Sequence, residues 1–384
     1  MLQPDRLLEF RQGGIAVMGQ AGQTYTKEQM LHCPGVMAAP RNQWYIGAMA
    51  NEVTTGLLSR RILDDLVVFY RTAEGTAVAL ADRCPHRGVP LSMGKVFGES
   101  LRCPYHGFEY NKAGVCTRVP SQDTIVPQLV VRSYPLKEVG PYIWIWMGDP
   151  ARPDESLFPD QFELGLDRPG YRVTPYFVVE MGCNYQLLHE NLLDTSHITF
   201  LHPGMIDGGS MAQAKFKSSY EGARVRMSRE LVEVPTPAMA RTFQLPRGTA
   251  PVHRTLITDA IAPHLSVITN IFHYEDSPEA KHVLINPQGV TPSGPNRCFN
   301  FVAVSSSYPE AQPEESYPFL SMLFEQDKVI LEAVQARYDS EGWDLPEVSV
   351  RADAAALNFR RKVVEMIEKE CASLLGPKLQ SARV

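Results

Sequence analysis

The sequence predicts an α+β chain in two parts, an all-β domain followed by a larger domain that mixes strands with long helices. Three observations carry this expectation. The chain has 384 residues, above the size at which a single hydrophobic core usually stops growing. From Gln43 the β-prone runs are short and show no helical period. After a Pro- and Asp-rich break at residues 148–154, strand-like runs mix with long helical ones. The expected parts are an N-terminal extension over 1–39, a β domain over 40–150 and a mixed domain over 151–384.

In order along the chain, residues 26–32 read as a short helix, and the neighbours His32 and Cys33 as a boundary loop rather than a ligand pair. Residues 66–70, 77–80 and 129–131 are strand-like, and 142–147 closes the section as a strongly β-prone run. Trp144 and Trp146 alternate there and read as packing. In the second half, 176–179 is strand-like, and 184–200 reads as one helix stopped by His202, Pro203 and Gly204. Residues 265–268 and 299–304 are further strands. Residues 319–337 form a long helix with apolar residues at Met322, Leu323, Val329, Ile330, Ala333 and Val334, and 354–374 a last helix.

A net charge of -6 argues against non-specific nucleic-acid binding, which needs a basic face. No apolar run approaches the ~20 residues that span a bilayer. The start of the chain lacks a basic, then apolar, leader, so a cytoplasmic protein is expected. Seven cysteines, an odd number, do not suit a secreted disulfide framework; closely spaced Cys and His suggest metal binding instead.

The strongest signal is Cys84-Pro85-His86, then 16 residues, then Cys103-Pro104-Tyr105-His106. Two thiolates and two imidazoles on two loops are the ligand set of a [2Fe–2S] centre with two Cys on one iron and two His on the other. A zinc site with the same four ligands is the rival, and colour separates the two. Gly88 and Gly107 follow the ligand pairs and would let loop amides approach the cluster. A second group is Asn191, Asp194, His197 and His202. On an ideal helix Asp194 and His197 share a face, while His197 and His202 lie ~140° apart and meet one metal only if the helix is distorted or ends. Two His with a distant carboxylate make the facial triad of non-haem Fe(II) oxygenases. A helix with a capping His and a solvated Asp is the plainer alternative. The remaining cysteines (Cys33, Cys116, Cys183, Cys298, Cys371) lack ligand spacing and read as small core residues. His189, His253, His264, His273 and His282 read as structural or exposed. No G-x-G-x-x-G follows a strand, so electrons must come from a separate partner.

The segments Cys84-Pro85-His86-Arg87-Gly88 and Cys103-Pro104-Tyr105-His106-Gly107-Phe108 resemble the Rieske domain of oxygenases. Respiratory Rieske proteins have an extra disulfide between these loops; the positions here are Val89 and Tyr105, so it cannot form. Phe108 stands where many oxygenases have Trp. The pattern from Asn191 to His202 resembles the catalytic helix of the same oxygenases. The resemblance implies that Cys84, His86, Cys103 and His106 hold the cluster and that His197 and His202 bind a mononuclear Fe(II). Asp194 would hydrogen-bond a ligand His and link to His106 of a neighbouring subunit, and Asn191 would lie near the iron. The third ligand would be a carboxylate on a C-terminal helix: of Glu325, Asp327 and Glu332, Gln326-Asp327 with Glu332 fits the family spacing, which favours Asp327. Beyond the extension, the chain resembles the branch of vanillate and dicamba O-demethylases and related N-dealkylases. That implies a helix-grip catalytic domain, a homotrimer, a ferredoxin and/or NAD(P)H-dependent reductase as partner, and O2 with a small aromatic substrate. Oxidative O- or N-dealkylation is the expected reaction. Cis-dihydroxylation of a ring is the alternative, and a Rieske electron carrier without oxygenase activity is the alternative of another class.

Overall fold

The computed structural model describes residues 38–308, 313–342 and 347–375, with the short pieces 8–11, 14–18, 24–27 and 31. The chain divides into two compact units, one of residues 41–159 and one of 1–40 with 160–384. Three N-terminal strands, β1 (Leu8–Arg11), β2 (Gly14–Met18) and β3 (Thr24–Thr26), form a small antiparallel sheet. The expected helix over 26–32 starts where β3 ends, and most of it, with His32 and Cys33, lies outside the described residues.

The unit of 41–159 is all-β, as its short alternating runs predict. Its strands are β4 (Trp44–Met49), β5 (Leu58–Ile62), β6 (Asp65–Arg71), β7 (Ala77–Ala81), β8 (Lys95–Phe97), β9 (Ser100–Arg102), β10 (Glu109–Tyr110), β11 (Cys116–Arg118), β12 (Leu136–Val139) and β13 (Tyr142–Trp146). They make three antiparallel sheets in the orders β12-β13-β4, β5-β6-β7 and β11-β10-β9-β8. Every residue of β4 and β13 is buried, the pattern of strands covered on both faces. Trp44, Trp144 and Trp146 fill that core, with Phe158 edge-on to the first two. Residues 129–131 are not a strand: Val130 makes an isolated bridge to Val115, and the neighbouring backbone bonds are Cys116 N–H to Leu129 O at 3.1 Å and Val131 N–H to Gly114 O at 2.8 Å.

The second unit is a seven-stranded antiparallel sheet in the order β14-β20-β19-β18-β17-β16-β15. The strands are β14 (Arg172–Met181), β15 (Phe216–Glu221), β16 (Arg224–Glu233), β17 (Val252–Ile261), β18 (Leu265–Tyr274), β19 (Ser277–Gly294) and β20 (Arg297–Ser306). The helices are α1 (Tyr185–Leu193), α2 (Ile198–Leu201), α3 (Pro237–Thr242), α4 (Tyr317–Glu341) and α5 (Ala354–Leu375). Val225 and Met227 of β16 pack with Leu188 of α1, Leu331 of α4 and Phe359 and Val363 of α5. This is the sheet-on-long-helix arrangement expected.

Two further expectations need correction. Residues 184–200 are not one helix: α1 ends at Leu193, and Asp194 is extended (φ -101°, ψ 94°). The Asp194 carboxylate accepts the Ser196 N–H at 2.9 Å, a side-chain cap that competes with helix continuation. A single 3-10 turn, Thr195–His197, then leads into α2. In α4, Leu323 is buried but Met322, Val329, Ile330 and Val334 are exposed; the face that packs carries Phe324, Asp327, Leu331, Gln335 and Tyr338. No helix among the described residues is long and apolar enough to cross a membrane.

Candidate metal centres

Two loops of the first unit share one backbone frame. Cys84 N–H donates to Val89 O at 2.9 Å and Gly88 N–H to Cys84 O at 2.8 Å. Nineteen residues on, Cys103 N–H donates to Phe108 O at 2.8 Å and Gly107 N–H to Cys103 O at 3.2 Å. Gly88 and Gly107 have φ of 76° and 70°, a left-handed conformation glycine adopts without strain. The repeated frame turns both thiols inward, with Cys84 and Cys103 buried, and both imidazoles to the surface, with His86 and His106 ring centroids 4.6 Å apart. Burial raises the Cys103 thiol above its ordinary pKa, so loading a metal there must displace a proton. Inward sulfurs and outward nitrogens suit a cluster whose two irons differ in their ligands. Tyr110 was missed by sequence reasoning; its hydroxyl lies 3.3 Å from Cys84 Sγ. Phe108 stacks on His86 at 4.9 Å and 12°.

The second centre is in the other unit. The break at Asp194 lets His197 and His202 meet one point although they are five residues apart. Their Nε2 atoms lie 3.6 and 3.2 Å from Asp327 Oδ1, which α4 brings in on its buried face. The three donor atoms all fall within 4.8 Å of one another. Each imidazole is oriented through its other nitrogen: His197 Nδ1 donates to Asp194 O at 2.6 Å, and His202 Nδ1 to Gln326 Oε1 at 2.8 Å. That leaves both Nε2 atoms free of hydrogen and ready to ligate. Two neutral nitrogens and one carboxylate around a shared point fit a mononuclear iron with open positions. Burial keeps His197 below its ordinary pKa. Burial also lowers His202, but Asp327 and Gln326 outweigh it and the net shift is upward.

Among the other sequence candidates, Asn191 donates to Asp327 Oδ1 at 3.0 Å, and its own Oδ1 is buried with no partner among the described residues. Asp194 holds His197 through its backbone carbonyl, while its carboxylate accepts from Ser196 N–H. Glu325 is exposed, and Glu332 accepts the Gly182 N–H at 2.7 Å, so neither joins the triad. His189 is buried against Ser266 at 2.9 Å. Arg229 also went unnoticed in the sequence. It is buried, donates to Thr195 Oγ1 at 3.0 Å and stands 3.8 Å from Asp194 Oδ1. Strand phase is the signal that finds it: Val225, Met227, Arg229 and Glu233 share the inward face of β16. A cavity of about 140 Å³ opens on the triad, with Leu256, Ile268, Val304 and Phe324 among its walls.

An iron–sulfur relay and a triad beside an apolar cavity define an electron-fed mononuclear iron oxygenase. The comparisons agree. The family model described as the Rieske [2Fe-2S] domain matches residues 43–135. The vanillate O-demethylase oxygenase C-terminal domain matches 181–369. The oxygenase component of dicamba O-demethylase from Stenotrophomonas maltophilia is 30% identical over 88% of this chain and 100% of its own length. The oxygenase component of chloroacetanilide N-alkylformylase from Rhizorhabdus wittichii is 28% identical over 86% and 96%. An iron–sulfur subunit of a toluene-4-sulfonate monooxygenase system from Comamonas testosteroni is 39% identical over 46% of this chain; there the match spans half of the relative's length. A crystal structure of dicamba monooxygenase superposes with a TM-score of 0.79 at 27% identity, covering 86% of this chain and 98% of that one. The chain belongs to the Rieske oxygenase alpha subunits, in the branch of vanillate and dicamba O-demethylases and N-dealkylases. Its cofactors are a Rieske [2Fe-2S] cluster and a non-haem iron at His197, His202 and Asp327.

Proposed function

We propose that the chain is the terminal oxygenase of a system that removes O- or N-alkyl groups from a small aromatic compound. The cavity carries this reading. About 140 Å³ beside the triad is close to the ~150 Å³ apolar cavity that accepts benzene, room for one substituted ring. When bound, the cluster supplies single electrons and the mononuclear iron supplies O2 activation. The chain's own residues do the rest. Cys84, His86, Cys103 and His106 hold the cluster. His197, His202 and Asp327, which line the cavity, would hold the iron, and Asn191 steadies the Asp327 carboxylate. Leu256, Ile268 and Phe324 keep the reacting carbon in an apolar, water-poor place. The balance is one aryl alkyl ether or amine, one O2, two electrons and two protons giving the dealkylated compound, one aldehyde and one water. The electrons come from a separate NAD(P)H-dependent reductase, with or without a ferredoxin. Asp194 links the triad to the cluster of a neighbouring subunit in a homotrimer.

The test is aldehyde release with a reductase system and a panel of aryl methyl ethers and N-alkyl anilides. Aldehyde in proportion to NADH consumed is expected. Oxygen uptake with dihydrodiol products would move the chain to ring dihydroxylation. Cluster reduction without substrate-dependent O2 uptake would leave an electron carrier.

A further inference from the structure

The same cavity holds a charged side chain that neither metal centre uses. Arg254 is 2% exposed, points inward from β17 in phase with Val252 and Leu256, and lines the cavity. Its Nε donates to Asn270 Oδ1 at 2.9 Å, and its Nη1 to Ile206 O at 2.7 Å and Glu233 Oε1 at 3.2 Å. Among the described residues its Nη2 makes no hydrogen bond. Nη2 is not among the fully buried unpaired atoms, so its N–H groups open onto the cavity, where a bound ligand can supply the acceptor. The Asn270 amide is oriented too: with Oδ1 taken by Arg254, its Nδ2 remains a donor, and Asn270 also lines the cavity.

The charge around Arg254 decides what kind of acceptor fits. Glu233 is 4% exposed, is paired with Arg254, and holds the Gly208 N–H at 2.9 Å. Asp207 is wholly buried, accepts from Thr199, Ser210 and Met211, and lies near enough to act on Arg254. Two carboxylates therefore face one guanidinium, and no positive charge is left over for an anion. We propose that Arg254, with Asn270, is the substrate-recognition pair of this cavity and that it takes a neutral hydrogen-bond acceptor, a carbonyl, amide or nitro oxygen on the aromatic ring, rather than a carboxylate or sulfonate.

The inference rests on the oxygenase reading of the cavity, but its test does not need turnover. Binding of matched sets of aryl methyl ethers to the holoprotein is read by calorimetry: each ring carries an amide, a carboxylate, a sulfonate or no acceptor. The amide is expected to bind roughly tenfold or more tightly than the acceptor-free and anionic members. Glu233→Gln uncovers the Arg254 charge, so the carboxylate should gain roughly tenfold while the amide holds. A purely structural Arg254–Glu233 pair would shift neither preference. Tighter binding of the carboxylate or sulfonate by the unmodified chain, equal binding of amide and acceptor-free ethers, or no binding of any member overturns the proposal. Amide binding without aldehyde release spares the recognition pair and sinks the dealkylase reading.

Discussion

Asp194 does two separable jobs, and a single atom exchange distinguishes them. Its carboxylate caps the turn at Ser196 while facing Arg229, and its carbonyl orients His197. Asparagine is as good a cap as aspartate, so Asp194→Asn should keep the fold and both metals. It removes the charge beside Arg229, and turnover should fall by on the order of 100-fold. Normal turnover with full iron would end the bridging role. Among the described residues, the Gln326 side chain is hydrogen-bonded to His202. Gln326→Leu keeps the size but strips the Nδ1 acceptor, so iron affinity in chelator competition should weaken by roughly 10–100-fold with the cluster spectrum unchanged. Tyr110 acts on the other centre. A hydroxyl donating to Cys84 Sγ favours the more negative, reduced cluster. Tyr110→Phe should lower the midpoint potential by on the order of 50 mV, since tenfold in a one-electron couple is about 59 mV; an unchanged potential would remove that hydrogen bond from the account.

The layer between α1 and the sheet carries a pH dependence of its own. His189 on α1 and His264 just before β18 are both buried, and burial pushes each down to about 3. The folded pKa of each is depressed below the ordinary 6.5. Their neutral forms therefore support the fold fully above pH 6.5, and that support is lost as pH falls from there toward 3. Each histidine should add about 1.4 kcal/mol of destabilisation per pH unit within that window. Denaturant melts of the metal-loaded chain at several pH values should show the slope, and His264→Gln should flatten it; an equal slope in that variant would assign the acid lability elsewhere. These elements also show what was legible. The cluster loops and both iron histidines stood out because ligand spacing is local. The break at Asp194 did not, because residues 184–200 look helical throughout and one side-chain cap overrides them. Asp327 could be chosen only through the family resemblance, since the face of α4 that packs mixes Phe324, Leu331 and Tyr338 with Asp327 and Gln335 and is not the apolar stripe read from the sequence. Arg229, Glu233 and Arg254 were readable in strand phase but were passed over, because charge in a β run suggests a solvated face.

At the scale of the molecule, the two metal centres lie in separate units, each with its own core and its own hydrogen-bonded frame. Losing one should leave the other folded. The loaded chain should contain about three irons, Cys84→Ser about one, and Asp327→Ala about two with the cluster spectrum intact. Those two variants then test the route of the electron. If each cluster serves the iron of its own chain, a mixture of the two variants has no complete pair and is inactive however it assembles. If each cluster serves the iron of the next chain in a closed head-to-tail ring, a productive contact needs an intact cluster followed by an intact iron. In rings assembled from equal amounts by co-expression, that occurs at about a quarter of the contacts. Activity near a quarter of the unmodified enzyme, appearing in co-assembled protein and absent when separately purified variants are mixed without exchange, would establish transfer between subunits. Inactivity of co-assembled rings that still hold both kinds of centre would place the whole route within one chain.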